Sequence, residues 1–322
     1  MPLEYDPEYF QALKPLLPRL SKRPSLVTVE DILPSRKGRD ASIEALYAPW
    51  PESPDVTHAV HHVEAADGHQ IPVHIFIKDG SSSSPGPAIV HYHAGGMILG
   101  SAQLYIKHLA RLVSETSVPI FSVDYRLAPE YTGTTPVEDC FAGLVWLHQN
   151  AKKHNIDPAR IAVFGESAGG GMAAGVSLMA RDRNLQPPLA KQILVYPMLD
   201  DRNMTANKAI EPLAFWKTQD NVVAWTALLG YKAGKPDADV SPYSAPARAK
   251  SLAGLPTAYV DVGTLDIFRD ESITYASRLL AEDISTELHV YPGVPHAFEP
   301  IAPHTSVARR AHENRLRAML SF

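Results

Sequence analysis

Short apolar runs alternate with longer amphipathic segments over most of this chain, and this alternation restricts its fold more than any other feature of the sequence. The apolar runs have the length of buried strands and occupy residues 88–92, 120–123, 161–164, 193–196, 258–262 and 288–291. The amphipathic segments occupy residues 102–115, 136–153, 170–183, 271–281 and 306–320. Strands buried on both faces need helices on both sides, so the pattern predicts an α/β fold with a mostly parallel central sheet flanked by helices.

Three segments interrupt this alternation. Residues 1–50 are rich in proline and space their apolar side chains for one helical face, which predicts one or two short helices. Residues 60–63 and 73–77 flank Asp67-Gly68, a turn signal, and predict an antiparallel pair of strands. The interval from residue 200 to about 251 carries Phe215, Trp216 and Trp225 in helical surroundings and predicts an insertion above the sheet.

The composition excludes several classes of protein. The 322 residues suffice for one large α/β domain with an accessory piece or for two average domains, and 45% hydrophobic with 20% charged residues is ordinary globular composition. A net charge of −5 without a basic stripe predicts no nucleic-acid partner. No apolar run approaches the ~18 residues of a membrane span, and the first residues lack a secretory pattern, so we expect a cytoplasmic protein without membrane insertion. Cys140 is the single cysteine, which excludes an internal disulfide and a cysteine-based metal cluster.

The sequence Gly165-Glu166-Ser167-Ala168-Gly169 follows a predicted strand and precedes a predicted helix of small residues. Gly-x-Ser-x-Gly in this context is the nucleophile elbow described for α/β-hydrolases. Glycines on both sides of the serine permit a tight turn, and the helix amino terminus favours a developing anion beside the hydroxyl. Ser167 is therefore the predicted nucleophile.

A second glycine-containing loop, His93-Ala94-Gly95-Gly96-Met97, follows the strand at residues 88–92. Acyl transfer creates an oxyanion, and main-chain N–H groups that point at it stabilise it by about 3 kcal/mol per donor. The expected donors are the N–H groups of Gly95, Gly96 and Ala168.

A nucleophilic serine needs a base and an orienting acid, in the chain order serine, acid, histidine. Of the histidines after Ser167, only His296 follows the last strand in a loop, whereas the other three lie in a strand or in the final helix region: His289, His304 and His312. Asp266 lies just past the strand at residues 258–262, Asp270 is placed to cap the next helix, and Asp261 lies inside the strand. Ser167, His296 and Asp266 are the predicted triad.

These motifs resemble the hormone-sensitive-lipase group of the α/β-hydrolase superfamily, also called bacterial esterase family IV. Residues 93–96 resemble its His-Gly-Gly-Gly loop, and residues 165–170 its Gly-Asp/Glu-Ser-Ala-Gly-Gly elbow. Residues 124–130 are similar to its Asp-Tyr-Arg-Leu-Ala-Pro-Glu segment. Residues 265–271 and 296–298 resemble its Asp-Pro-Leu-Arg-Asp-Glu and His-Gly-Phe segments. Five blocks in order between about residue 88 and 298 thus cover most of the chain.

The resemblance implies a carboxylesterase for short- to medium-chain esters, with frequent dimers and no cofactor. It also implies a helical cap, which we assign to residues 1–50 and 200–232, on a catalytic core of residues 51–199 and 233–322. Three residues depart from the group's motifs: Ala94 and Ala297 replace glycines, and Ile267 replaces a proline. The retained His296 argues against a non-catalytic receptor on this fold.

Other motifs have less specific interpretations. His91-x-His93 and the histidines at residues 58, 61 and 62 suggest metal ligands, but no nearby carboxylate or cysteine completes a set, so we predict no metal. Arg126 and Asp124 are expected to hold neighbouring loops, and Cys140 to be a buried apolar residue. Met97, Phe215 and Trp216 are candidates for the substrate pocket, and the two aromatic residues are equally consistent with packing between helices of the cap.

The sequence therefore predicts a serine carboxylesterase that acts on a small-molecule ester through an acyl-enzyme. The alternatives that share these motifs are a deacetylase or lactonase of a secondary metabolite and a non-catalytic ligand-binding member of the fold. A metal-dependent hydrolase is a rival of another class, and insensitivity to chelators separates it from a serine enzyme.

Overall fold

The computed structural model describes residues 2–20, 25–80 and 84–322. An eight-stranded sheet in the order β1-β2-β4-β3-β5-β6-β7-β8 forms its centre. The strands are β1 (Val56–Glu64), β2 (Gln70–Lys78), β3 (Gly86–Tyr92), β4 (Ile120–Val123), β5 (Ile156–Glu166), β6 (Lys191–Val195), β7 (Thr257–Gly263) and β8 (Thr286–Tyr291). Strand β2 is antiparallel to both of its neighbours, and every other neighbouring pair is parallel.

The predicted alternation of strands and helices is confirmed. Each of the six apolar runs forms a strand, and the two runs around Asp67-Gly68 form the antiparallel pair β1 and β2, with Val63 opposite Ile71. The helices of the core are α4 (Ile106–Thr116), α5 (Thr135–Asn150), α6 (Ala168–Asp182), α8 (Arg269–Ala281), the short α9 (Phe298–Ile301) and α10 (Ser306–Met319). A mostly parallel sheet with flanking helices is therefore the fold, as the sequence predicts.

The core has two apolar layers because successive residues of each strand point to opposite faces of the sheet. On β3, Ile89 packs in the layer that contains side chains of α4 and α10. Its neighbour Val90 packs in the other layer, with side chains of α5, α6 and α8. Both faces of the sheet are thus covered, which explains why its strands read as continuous apolar runs.

The described part of the amino-terminal segment contains three helices: α1 (Pro7–Leu13), α2 (Leu17–Leu20) and α3 (Ile32–Tyr47). Helix α3 has 16 residues and is longer than the short helices expected from the sequence. It carries Pro34 in its first turn and Gly38 near its middle, and only Ile32 and Arg39 are buried. A helix with so small an apolar face gives almost no periodic signal, which is why the prediction was too short.

Residues 200–232 contact the amino-terminal segment. The Tyr5 hydroxyl donates to the main-chain oxygen of Leu213 at 2.7 Å. The Leu26 N–H donates to Asp220 at 2.9 Å, and Arg39 forms a buried ion pair with Asp220 at 3.1 Å. Asp220 lies in α7 (Thr218–Leu229). Two segments distant in sequence therefore pack together on the core.

The segment at residues 124–130 holds loops together, although Arg126 and Asp124 do so separately. Arg126 forms an ion pair with the fully buried Asp139 at 2.7 Å and with Asp67 at 2.6 Å. Asp124 accepts a hydrogen bond from the N–H of Ala102 at 2.8 Å. Cys140 is fully buried, which raises the pKa of its thiol well above the usual range.

Candidate active site

Ser167 occupies a sharp turn between β5 and α6. Its dihedral angles, φ 57° and ψ −120°, are strained for a residue other than glycine, and its N–H donates to the main-chain oxygen of Val195 at 2.9 Å. A side chain on Gly169 would place its Cβ 1.9 Å from the main-chain oxygen of Tyr92, so only glycine permits this approach of α6 to β3. The turn thus presents the serine at the amino terminus of a helix, at the carboxyl edge of the sheet.

The structure brings Ser167, His296 and Asp266 into one hydrogen-bonded row. The Oγ of Ser167 lies 2.9 Å from Nε2 of His296, and Nδ1 of the same ring lies 2.7 Å from Oδ2 of Asp266. The other carboxylate oxygen of Asp266 accepts from the N–H of Phe268 at 2.9 Å. All three side chains are buried. The row has the geometry of a nucleophile, a base and an orienting acid.

Two aromatic rings hold the imidazole of His296 from the sides. Tyr196 presents its ring edge-on at 4.7 Å between centroids, and Phe268 does so at 5.1 Å. The Tyr196 hydroxyl in turn donates to Glu299 at 2.7 Å, and Glu299 also forms an ion pair with Arg315. The ring of His296 is therefore fixed by packing as well as by Asp266.

The competing acids and histidines lie elsewhere. Asp261 forms an ion pair with Arg315 at 2.7 Å, and Asp270 is exposed and pairs with Arg269 at 2.7 Å. Each remaining histidine after Ser167 is near a surface carboxylate or exposed: His289 beside Glu287, His312 beside Glu115, and His304 in solvent.

The loop of residues 93–97 lies next to the elbow. Gly95 and Gly96 have φ values of 130° and 61°, and the following Met97 has φ 62°. The main-chain oxygen of Gly95 accepts from the N–H groups of Ile98 and Leu99, which closes the loop on itself. Ala168 is the first residue of α6, so its N–H has no carbonyl one turn back in the helix. The three N–H groups predicted to bind an oxyanion thus belong to two adjoining backbone segments.

His93 supports this loop from below. Its ring is fully buried and stacks on Tyr125 at 4.2 Å between centroids, and its Nδ1 lies 2.8 Å from the main-chain oxygen of Ala94. The Tyr125 hydroxyl donates to the main-chain oxygen of His93 at 2.8 Å. Burial lowers the pKa of His93, so a neutral ring with the proton on Nδ1 donates to Ala94.

Of the three candidate pocket residues, Trp216 contacts the glycine loop. Its Cζ2 and Cη2 atoms lie 2.8 Å from the place where a Cβ on Gly96 would be. Phe215 packs against Tyr5, with ring centroids 6.4 Å apart, and thereby joins the insertion to the amino terminus. Met97 is buried in the same apolar cluster as Trp216.

A hydrogen-bonded network of side chains lies behind the elbow and is not predicted by the sequence analysis above. Glu166, next to the serine, lies 2.9 Å from Nε2 of His91 and 3.1 Å from Nε2 of His108, and His91 also lies 2.8 Å from the Ser122 hydroxyl. Burial acts to raise the pKa of Glu166, but the two histidines together outweigh it, and the pKa lies far below its usual range. A charged residue at the variable position of Gly-x-Ser-x-Gly was the available signal, but its partners lie 58 and 75 residues away.

The histidines considered as metal ligands have other contacts. His91 lies beside Glu166, and His58 lies 3.0 Å from the ring nitrogen of His74. Within the ranges that the structure describes, no group of three or more histidine, cysteine or acidic residues is arranged to hold a metal ion. No helix in the same ranges is long and apolar enough to cross a membrane.

A sheet in this strand order, with a serine in a strained turn after β5, defines an α/β hydrolase. Residues 89–300 match a family described by its alpha/beta hydrolase fold. The chain is 31% identical to esterase LipI of Mycobacterium tuberculosis over 306 residues, which are 92% of this chain and 93% of that protein. It is 34% identical to an arylesterase of Saccharolobus solfataricus over 211 residues, 65% of this chain and 67% of the relative.

Among solved structures, a bacterial heroin esterase superposes with a TM-score of 0.86 at 35% identity, and the match covers 98% of this chain and 97% of that one. The chain belongs to the α/β-hydrolase family matched by residues 89–300 and, within it, to the hormone-sensitive-lipase-like esterases of family IV. It is a carboxylic ester hydrolase, and the comparisons do not favour the non-catalytic alternative.

The two alanines that replace family glycines have opposite backbone conformations. Ala297 has φ 52° and ψ 45°, a left-handed conformation that costs a residue with a Cβ about 1–2 kcal/mol. Ala94 is not among the described residues with positive φ, so its methyl group is accommodated without strain. The two positions therefore form a matched pair for the same substitution.

We expect Ala297→Gly to leave the free energy of unfolding unchanged or raise it by up to about 1 kcal/mol, because relief of strain exceeds the added flexibility of the unfolded chain. Ala94→Gly should lower it by about 0.4–1 kcal/mol, since here only the unfolded chain gains freedom. Ala94→Gly should also leave kcat/KM nearly unchanged. Urea unfolding measures the free energies of unfolding, and initial rates on one ester measure kcat/KM. A large rise in activity for Ala94→Gly would show that Ala94 distorts the loop.

Proposed function

We propose that this esterase uses Ser167 as nucleophile, His296 as general base and acid, and Asp266 as the group that orients the ring. The row from Ser167 Oγ through both ring nitrogens of His296 to Asp266 Oδ2 carries the proposal, with distances of 2.9 and 2.7 Å. Each pair of atoms is within hydrogen-bond reach, which general base catalysis requires.

In the first half-reaction, Ser167 Oγ attacks the ester carbonyl carbon while its proton passes to Nε2 of His296. The carbon–oxygen π electrons move onto the carbonyl oxygen, and the N–H groups of Gly95, Gly96 and Ala168 stabilise that oxyanion. Collapse of the tetrahedral intermediate breaks the bond to the alkoxy group, which leaves as the alcohol with the proton from His296. An acyl-serine remains.

In the second half-reaction, His296 takes a proton from water, and the hydroxide oxygen attacks the acyl carbon. Collapse expels Ser167 Oγ, which recovers its proton from His296, and the carboxylic acid leaves. Asp266 accepts from Nδ1–H throughout and stabilises the imidazolium that forms in each step. Its burial and its second hydrogen bond, from the Phe268 N–H, keep it in place.

Residues 1–50 and 200–232 are proposed to form the cap over this site. Support comes from the Tyr5–Leu213 and Arg39–Asp220 contacts, which join the two segments, and from Trp216, which lies against Gly96. Trp216 is then the wall that limits the space for the acyl or alcohol group next to the oxyanion loop. Ser167 is only 4% exposed, so the nucleophile is enclosed rather than open to solvent.

We expect activity to be highest on esters with acyl chains of about two to eight carbons, the range that the family resemblance implies, and to show no activation at an interface. Of the described helices in residues 1–50 and 200–232, α3 has a small apolar face and α7 is mostly buried, so neither resembles an amphipathic lid that binds lipid surfaces. A series of p-nitrophenyl esters from acetyl to palmitoyl, with phenyl acetate and emulsified triglycerides alongside, measures the preference. Efficient hydrolysis of emulsified long-chain triglycerides would contradict the prediction.

Labelling with an organophosphate tests the nucleophile itself. The probe should modify Ser167 and abolish hydrolysis, and chelators should have no effect on either. A cytoplasmic location and a homodimer also stay predictions, which cell fractionation and light scattering of the purified protein would test.

A further inference from the structure

A cavity of about 600 Å³ lies between the segment that follows β6 and one face of α8. The helix contributes residues at the spacing of a single face: Asp270, Glu271, Thr274, Tyr275 and Arg278. The volume is within the range of pockets that hold small organic molecules. None of the described residues that line it is Ser167, His296 or Gly96, so the cavity is separate from the proposed triad.

Two of the acidic groups at this cavity are neutralised by partners. Asp200 forms two hydrogen bonds with the guanidinium of Arg202, at 2.7 and 3.0 Å. Asp270 is paired with Arg269, at 2.7 and 3.2 Å. Neither carboxylate therefore adds an unbalanced negative charge to the cavity.

The third acidic group, Glu271, lies in the buried floor. Its oxygens accept from the N–H groups of Leu199 and Asp200, at 2.7 and 3.2 Å, and from the amide of Asn203 at 2.8 Å. Burial raises its pKa well above the usual range, and these donors offset only part of that effect. Glu271 thus ties the loop after β6 to α8, and three donors already occupy its oxygens.

Among the described residues, Arg278 has no ion-pair partner and the Tyr275 hydroxyl has no hydrogen-bond partner. The guanidinium of Arg278 donates to the main-chain oxygens of Ala247 and Ala249, and no carboxylate in the described ranges forms an ion pair with it. Tyr275 is 1% exposed, and its hydroxyl has no hydrogen-bond partner in those ranges. Burial raises the pKa of Tyr275, and the nearby charge of Arg278 opposes that shift. An uncompensated cation and an unused O–H donor therefore lie one helical turn apart.

We propose that this cavity binds a small monocarboxylate, with the carboxylate between Arg278 and Tyr275 and the apolar part against Ile210 and Ile267. A carboxylate accepts from both donors and supplies the missing negative charge. The choice of acid rests on the proposed function, because ester hydrolysis releases one carboxylate in every cycle. A bound acid would lie beside the loop that carries Asp266, since Ile267, the residue after Asp266, lines the cavity.

Titration of butyrate into enzyme inactivated at Ser167 by an organophosphate tests this site by calorimetry. We expect saturable binding of one butyrate per chain, and no comparable binding of 1-butanol, which lacks the charge. Arg278→Met should weaken the affinity at least about tenfold, and Tyr275→Phe several-fold. Arg309→Met is the matched control, because Arg309 also donates to a main-chain carbonyl, that of His304, away from the cavity.

Arg278→Lys keeps the positive charge and should retain part of the affinity. It serves as the second variant if Arg278→Met does not fold. Equal affinities of Arg278→Met and the unaltered enzyme, equal binding of 1-butanol, or no binding at all would overturn the proposal. Failure of the proposed function is seen separately, as absence of Ser167 labelling or as full activity of Ser167→Ala. In that case the butyrate titration is carried out on Ser167→Ala.

Discussion

Ser167→Ala is expected to lower kcat for a short-chain p-nitrophenyl ester by about 10⁵–10⁶-fold, and His296→Ala by a similar factor. Without Oγ no acyl-enzyme forms, and without the imidazole the hydroxyl keeps its proton. Asp266→Asn should cost about 10⁴-fold, because an amide facing Nδ1 favours the wrong tautomer of the ring. Steady-state rates of purified variants measure these losses, and unfolding curves show whether each variant is folded.

Double variants should lose little more than the worse of their two single variants, because the three groups act as one unit. Asp270→Asn is the matched control for the acid: it is four residues away, exposed and paired with Arg269, and its kcat should stay within about twofold. A severe loss for Asp270→Asn with a mild one for Asp266→Asn would show that the acid has been misassigned.

Gly96→Ala is expected to lower kcat by about 10²–10³-fold, the usual cost of losing one oxyanion donor. At φ 61°, an alanine is strained by about 1–2 kcal/mol, and its Cβ would lie 2.8 Å from the Trp216 ring. The backbone must shift to relieve either conflict, and the N–H group shifts with it. Rates on p-nitrophenyl butyrate give the loss, and Ala94→Gly, with nearly unchanged kcat/KM, controls for substitution in the loop.

Trp216→Ala in the Gly96→Ala background separates the two causes. Removing the indole removes the contact and leaves the backbone strain, so we expect only partial recovery of kcat. Complete recovery would show that the contact alone displaces the donor. Full activity of Gly96→Ala in a folded protein would remove Gly96 from the oxyanion site altogether.

The contact of Trp216 with Gly96 illustrates what lies outside local sequence patterns. Trp216 and Gly96 are 120 positions apart in the numbering, and neither residue type indicates the other. The contact exists because the insertion after β6 packs on the amino-terminal segment above the sheet, through pairs such as Arg39 with Asp220. The network around Glu166 likewise depends on tertiary packing, since its partners His91 and His108 lie in β3 and α4.

The sequence by itself determined the class of fold and the position of the serine, because both depend on local patterns: the period of apolar residues selects strands and helices, and the glycines of the elbow admit a strained turn. It also limited the candidates for the acid and the base to residues in the loops after the last two strands. Only the tertiary structure brought His296 to within 2.9 Å of a serine 129 residues away and buried Asp266 beside it. It also left Asp270 exposed and paired with Arg269. Such contacts depend on how the strands are ordered in the sheet, and strand order is a property of the whole chain rather than of any segment.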